Sequence, residues 1–314
     1  MNKIAVVIFQ LGGPDSIEAI EPFLNNLFQD PDIFKLPFGE KGQELFAGLI
    51  SKYRAPKSAI LYEEIGGSSP LHPNTLDQAA ALQKTLREVD DFQVHVAQRY
   101  WHPLIPEVIE KLSHETFDKI VLLPLFPQYS NTTTLSVINE WVRHGEVLIA
   151  PIIIQRFHQH PKYIEACRER IKEKLDQVSG KPHLLFSAHS IPQSRVKQGD
   201  PYQDEIEETV ELILEDFHGY GHSLCYQSRV GPTKWLEPNI KDELKELKHR
   251  GIKNLLVFPV AFVSEHLETL HELDIKYRKV AEELGFNQFI RVNTVQTHPL
   301  FIDCLKELVL ENCQ

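Results

Sequence analysis

Lys3-Ile4-Ala5-Val6-Val7-Ile8-Phe9-Gln10-Leu11-Gly12-Gly13-Pro14-Asp15 sets the architecture. From Ile4 to Phe9 every side chain is apolar, most are β-branched, and no polar residue alternates with them. That pattern marks a strand buried on both faces, as in parallel sheets. A Gly-Gly-Pro turn follows. Asp15 and Glu18 then stand at capping-box spacing, and Ile17, Ile20, Phe23, Leu24 and Leu27 recur at helical intervals. Strand, turn and helix form the first step of an α/β fold.

The alternation continues outward from this stretch. Strands are expected at 92–97, 119–125 and 147–153, and helices at 76–86, from Pro106 onward and at 132–141. The pattern restarts with a strand at 183–187 and a helix face of Ile206, Val210, Ile213 and Phe217. A strand at 224–228 leads to a helix at 240–249 closed by Gly251, then a strand at 255–262 and a helix from Glu265. A strand at 289–292 and a helix at 300–310 complete the chain. Residues 119–140 and 254–275 echo each other: strand, proline, Ser/Thr turn, helix. The expected fold is α/β, with two Rossmann-like, doubly wound parallel-sheet domains facing across a cleft. Their expected extents are 1–160 and 161–314, with the last helix free to cross back to the first half. Ligands of such sheets bind outside the C-terminal ends of the strands.

Composition limits the partners. The formal charge of −11 over 314 residues argues against a nucleic-acid partner, because phosphate binding needs a basic face. No apolar run approaches the ~18 residues of a membrane span, and no targeting segment is visible, so the cytoplasm is expected. Cys167, Cys225, Cys304 and Cys313 form no Cys-x-x-Cys pair and read as isolated thiols.

Two segments carry chemistry by residue type. In Ser264-Glu265-His266-Leu267-Glu268-Thr269-Leu270-His271-Glu272, the carboxylates at 265, 268 and 272 fall on one stripe of an α-helix capped by Ser264. The stripe reads as a path for protons or a divalent metal, or as a solvated acidic face. His189, directly after an apolar strand, suits proton removal or metal ligation, or is a structural histidine. Leu11-Gly12-Gly13-Pro14 lacks dinucleotide-binding spacing and Gly66-Gly67-Ser68-Ser69-Pro70 lacks the lysine of a P-loop. Both read as tight turns that let backbone approach a flat ligand. Arg54 and Lys57, with Tyr62 nearby, read as carboxylate binders at a pocket mouth or as surface cations. Phe34, Leu36, Phe38, Leu45, Phe46, Leu49 and Ile50 crowd a segment of poor periodicity. They read as an apolar lip over a pocket, a membrane-touching patch or a core-packed connection.

Six motifs in order resemble the ferrochelatase family. They are Leu11-Gly12-Gly13-Pro14, Pro124-Leu125-Phe126-Pro127-Gln128-Tyr129-Ser130, Ser187-Ala188-His189-Ser190-Ile191-Pro192, Gly199-Asp200-Pro201-Tyr202, Tyr226-Gln227-Ser228-Arg229-Val230-Gly231-Pro232 and Ser264-Glu265-His266-Leu267-Glu268-Thr269-Leu270. The resemblance implies a chelatase-like pair of Rossmann-like halves and an enzyme of the lyase class that inserts Fe²⁺ into protoporphyrin IX. It implies that His189 is the catalytic histidine and Glu268 its acidic partner, both within reach of the metal. Glu265, His266 and Glu272 would relay protons or metal from the same helix. Arg54, Lys57 and Ser228 match positions that hold propionates, and Leu11, Tyr62, Arg99, Tyr129 and Trp235 match residues that line or support the pocket. Gln10 stands where asparagine is common, and Glu265 where aspartate is common. No permanently bound cofactor is expected; only Cys304 and Cys313 stand near the end of the chain, so no iron–sulfur cluster is expected either. Peripheral membrane contact and either a monomer or a homodimer are compatible with the resemblance. The rival readings are a coproporphyrin ferrochelatase, a cobalt chelatase and a non-catalytic haem or metal carrier.

Overall fold

β1 (Lys3–Gln10) is buried on both faces: Ala5, Val7 and Phe9 pack on one side of the sheet, while Ile4, Val6 and Ile8 are no more than 4% exposed on the other. This is why the stretch carries no polar alternation. The computed structural model describes residues 2–34, 39–229, 231 and 233–313. The chain divides into two compact units, Met1–Arg156 with Ile302–Gln314, and Phe157–Phe301.

In the first unit β1, β2 (Asp91–Gln98), β3 (Lys119–Pro124) and β4 (Ile152–Ile153) form a parallel sheet of order β2-β1-β3-β4. Its helices are α1 (Ile20–Gln29), α2 (Gly39–Glu63), α3 (Leu71–Leu86), α4 (Ile105–Ser113) and α5 (Thr134–His144). Val108, Ile109 and Leu112 of α4 and Val137, Ile138 and Trp141 of α5 cover one face, with the Trp141 ring edge-on to Phe9 at 6.0 Å.

In the second unit β5 (His183–His189), β6 (His222–Gln227), β7 (Asn254–Pro259) and β8 (Gln288–Arg291) repeat that order as β6-β5-β7-β8, again all parallel. α6 (Pro161–Leu175), α7 (Gln193–Lys197), α8 (Tyr202–Leu214), α9 (Ile240–His249), a π-helix (Glu268–Tyr277) and α10 (Arg278–Glu283) accompany it. α11 (Pro299–Asn312) begins in this unit, and from Ile302 on it belongs to the first.

The two units share details of register. Phe9 lies opposite Pro124 as Ser187 lies opposite Pro259, so Leu11 and His189, each two residues further on, hold corresponding places. Pro103 O accepts from Gln98 N at 2.8 Å after β2, and Pro238 O accepts from Tyr226 N at 2.9 Å after β6. The echo between residues 119–140 and 254–275 is thus an echo between the third strands of two like-ordered sheets.

Several local expectations need correction. Asp15 and Glu18 do not open a helix: α1 starts at Ile20, and Ser16 Oγ accepts from Ala19 N at 3.2 Å in the preceding turn. β4 has only two residues, because a 3₁₀ turn occupies Gly145–Val147. The segment of poor periodicity is largely helical. α2 runs through it, with Phe46 set against Phe28 at 6.4 Å and Leu45, Leu49, Tyr53 and Ile60 exposed. Leu36 and Phe38 lie outside the described residues.

His183, at the start of β5, sits in the protein with Nε2 2.9 Å from Ser223 Oγ. Burial, helped by the charges of Arg250 and His222, pushes its pKa from 6.5 down to about 4. The folded state therefore holds this imidazole neutral, whereas the unfolded chain protonates it below about 6.5. Its stability contribution is complete above that value and is lost as the pH falls towards 4. The expected outcome is a lower stability in urea at pH 5 than at pH 7, to which His183 contributes about 2 kcal/mol. His183→Gln should lose correspondingly less over the same interval.

Candidate active site

The second unit gathers polar side chains at the C-terminal ends of β5, β6 and β7, where open α/β sheets hold their ligands. His189 ends β5 and pairs in register with Gln227, the last residue of β6. The π-helix follows β7 and starts at Glu268. Gln227 Nε2 donates to the Glu268 carbonyl at 3.0 Å and to Glu272 Oε2 at 3.1 Å, which brings the strand of His189 and the acidic helix together. Trp235 belongs to the same region. Its segment runs back along the residues after His189 through a bridge from Pro192 to Trp235 and a bond from Leu236 N to Ile191 O of 3.1 Å.

His189 is oriented by its own backbone. Its Nδ1 lies 2.7 Å from Ser190 O, so that nitrogen carries the proton and Nε2 is left as the acceptor. Tyr202, from the Gly199–Tyr202 motif, donates its buried hydroxyl to the His189 carbonyl at 2.9 Å.

The expected α-helical stripe of three carboxylates is not formed, because Glu265 precedes the helix and the helix winds as a π-helix. The three acids meet three different environments. Glu265 is 7% exposed, accepts two bonds from Arg291 Nη1 at 3.0 and 2.9 Å, and also takes Thr294 N at 2.9 Å. Burial opposes its charge, but Arg291, Thr269 and Thr294 outweigh it and hold its pKa below the usual carboxylate value. Arg291 in turn donates to Asp274 of the π-helix at 2.7 Å, so Glu265 serves as one end of an ionic strut.

Glu272 accepts from the Ser228 hydroxyl, from Gln227 and from Lys276 Nζ at 3.1 Å. Burial again opposes ionisation; the Ser228 bond, the Lys276 ammonium and the charge of His189 prevail, and the carboxyl stays below its usual pKa. Ser228 holds a left-handed backbone, with φ +66°, which costs a residue with a Cβ about 1–3 kcal/mol. Glu268 differs from both. Among the described residues its carboxylate has only His266 Nδ1, at 3.4 Å. That nitrogen faces the Thr269 N–H at 3.3 Å and so acts as an acceptor while the ring is neutral. Glu268 therefore keeps lone pairs to give, one-third exposed.

The other predicted residues lie in the first unit. Leu11 is half-buried after β1, and Tyr62 is buried at the end of α2. Arg54 sits over the Phe28 ring at 5.6 Å, Lys57 reaches Tyr53 OH at 3.2 Å, and Arg156 lies over the Tyr129 ring at 5.1 Å. Arg99 is buried and committed: Nη2 is 3.3 Å from Asp30 Oδ1 and 3.3 Å from Glu140 Oε2, and Nε is 3.0 Å from Ser136 Oγ. The glycine turns also need a revised reading. A Cβ on Gly12, at φ +88°, would stand 2.7 Å from Gln98 Oε1, and one on Gly13 would overlap Ser69 Oγ. Ser69 N also bonds Pro14 O at 2.7 Å. The close approach at Gly12 and Gly13 is thus to β2 and to Ser69, whereas a Cβ on Gly66 or Gly67 would meet nothing within 4 Å.

Gln227 and Tyr202 entered the sequence reading only as members of motifs, and Arg291 not at all. Gln227 closes the apolar run 224–226, whereas the strut of Arg291 spans 26 residues and leaves no local pattern. Among the described residues no group of three or more His, Cys, Asp or Glu side chains is placed to hold a metal ion. Among the described residues, His189 Nε2 and the Glu268 carboxylate are the least committed ligand donors of this group.

Two like-ordered parallel α/β units, the second with an imidazole and carboxylates beyond its strand ends, make up the chain, and solved chelatases share the fold. CbiX, the terminal enzyme for biosynthesis of siroheme in denitrifying bacteria, aligns with a TM-score of 0.54 at 14% identity over 98% of both chains. SirB from Bacillus subtilis aligns with a TM-score of 0.57 at 13% identity over 99% of this chain and 95% of its own. The chain belongs to the ferrochelatase family, whose sequence model matches residues 3–313. Ferrochelatase of Aquifex aeolicus is 48% identical over 98% of both chains, and that of Geobacter metallireducens 46% identical over 98% of both. The protein is accordingly a lyase of haem biosynthesis that inserts metal into a porphyrin, with the porphyrin and ferrous iron as its substrates.

Arg99→Ala should cost about 3–5 kcal/mol, the penalty for leaving Asp30 buried without its partner. Chemical denaturation checks this, with Arg99→Lys recovering part of the loss.

Proposed function

We propose that the chain inserts Fe²⁺ into protoporphyrin IX, with His189 Nε2 accepting pyrrole protons and Glu268 offering the exchangeable oxygen ligand for iron. The supporting observation is the difference in commitment among neighbouring groups. Glu265 and Glu272 are saturated with donors, whereas Glu268 and His189 Nε2 each keep a free lone pair. Nitrogen and oxygen donors suit Fe²⁺, and a ligand set with spare capacity lets the ion leave for the macrocycle. Imidazole is the side chain whose chemistry suits proton removal near neutral pH. His266 and Glu272 then complete a proton route on the helix side, while Glu265 keeps the start of the π-helix in place. A pocket that prefers a bent macrocycle would stabilise the transition state more than the flat substrate.

The preference for two propionates over four rests on available cations. Of the three predicted cations in the first unit, Arg99 already satisfies Asp30 and Glu140, so Arg54 and Lys57 are assigned as carboxylate partners, with Ser228 as a neutral donor in the second unit. Leu11, Tyr62, Tyr129 and Trp235 are assigned to the walls. The exposed apolar residues of α2, Leu45, Leu49 and Tyr53, supply a place for peripheral contact with the lipid surface from which so insoluble a substrate is exchanged. Among the described residues no helix is long and apolar enough to cross a membrane.

Anaerobic incubation with Fe²⁺ and porphyrin, followed by porphyrin fluorescence, tests the reading. Protoporphyrin should be turned over with a higher kcat/KM than coproporphyrin; the reverse order, or binding in fixed stoichiometry without turnover, would refute it. His189→Ala and Glu268→Gln should each lower kcat by about 10² or more while the fold survives. Leu45→Ser with Leu49→Ser should weaken partitioning onto lipid vesicles without changing kcat.

A further inference from the structure

We propose that Gln227 is a positioning residue for metal insertion: its side-chain amide sets the spacing between the strand that carries His189 and the helix that carries Glu268 and Glu272. This inference rests on the roles given to His189 and Glu268 above.

Gln227 is completely buried at the end of β6, in register with His189. Every hydrogen-bonding group of its amide is engaged. Oε1 accepts from Ser187 Oγ at 2.8 Å, two residues before His189 on β5. Nε2 donates to the Glu268 carbonyl at 3.0 Å and to Glu272 Oε2 at 3.1 Å. The backbone adds a further tie, because Gln227 O accepts from Ser190 N at 2.9 Å, and Ser190 O in turn receives His189 Nδ1 at 2.7 Å. One residue therefore fixes the tautomer-setting carbonyl of His189 on one side and the first turn of the π-helix on the other.

The chemistry of the side chain is specific to this duty. Only a primary amide provides two N–H donors and a carbonyl acceptor on one planar group. A glutamate here would keep the bond from Ser187, but it would set a carboxylate against Glu272 and take the amide donor away from the Glu268 carbonyl. A methionine would fill the space and bond to neither. The π-helix sharpens the requirement: Glu268 is its first residue, so the Gln227 amide holds the point at which the i→i+5 winding begins.

Gln227→Met is the direct test, with Leu247→Ala, a fully buried change elsewhere in the same unit, as the control for lost stability. The expected result for Gln227→Met is a kcat lowered by about tenfold or more at an unchanged KM for the porphyrin, since small misplacements of reacting groups are costly to rate. Leu247→Ala should lower Tm to a similar degree and keep its kcat. Gln227→Glu should be slower still. A kcat for Gln227→Met within twofold of the parent, or a loss matched by Leu247→Ala at equal Tm, overturns the proposal. If Gln227→Met does not fold, Ser187→Ala carries the test, with a loss of about threefold in kcat expected and an unchanged kcat overturning it. Failure of His189→Ala and Glu268→Gln to slow insertion would instead strike the underlying reading, whatever Gln227→Met does.

Discussion

Three carboxylates within eight residues cannot share one short stretch of buried chain without compensation, and the manner of that compensation shapes the second unit. An unpaired buried charge is costly, so each acid must find donors, reach water or take up a proton. Glu265 finds Arg291, and through it Asp274 and β8. Glu272 finds a hydroxyl, an amide and an ammonium. Glu268 reaches solvent and, among the described residues, meets only His266 Nδ1 at 3.4 Å. The least committed member of the set is thus also the most exposed.

Much of the fold was legible in the sequence, because parallel strands covered on both faces write themselves as uninterrupted apolar runs. Lys3–Gln10, Lys119–Pro124 and Asn254–Pro259 all read that way. Helix starts were less legible. Asp15 and Glu18 carry the residue types of a cap, yet the turn they occupy is closed by Ser16, and spacing does not show which oxygen reaches which amide. The irregular winding after Leu267 was invisible for the same reason: α- and π-helices use the same amino acids, and the side chains that tie this helix down, Gln227 and Arg291 among them, lie far away in the chain. Of the candidate site, the sequence shows His189 as an imidazole at the end of an apolar strand and Glu268 as a carboxylate in the segment after another. The commitments of Arg99 and Glu265 were not, since they join residues 69 and 26 positions from their partners.

The repeated strand order places Leu11 and His189 at corresponding points of two similar sheets. A common scaffold has thus been furnished differently: one unit carries the aliphatic Leu11 just past its first strand, while the other ends its first strand with the imidazole of His189. Fold and chemistry are separable in this chain, as they are in α/β proteins generally.

Ser228 gives its one proton to Glu272. A hydroxyl has no second proton to offer, so any acidic edge of a ligand that recruits this serine takes a donor away from that glutamate and strengthens its basicity. Docking and proton affinity are then two readings of a single equilibrium, and by thermodynamic reciprocity an acidified Glu272 would release Ser228 to greet the newcomer. A lone oxygen on a strained turn can in this way report, from within the protein, that its guest has arrived.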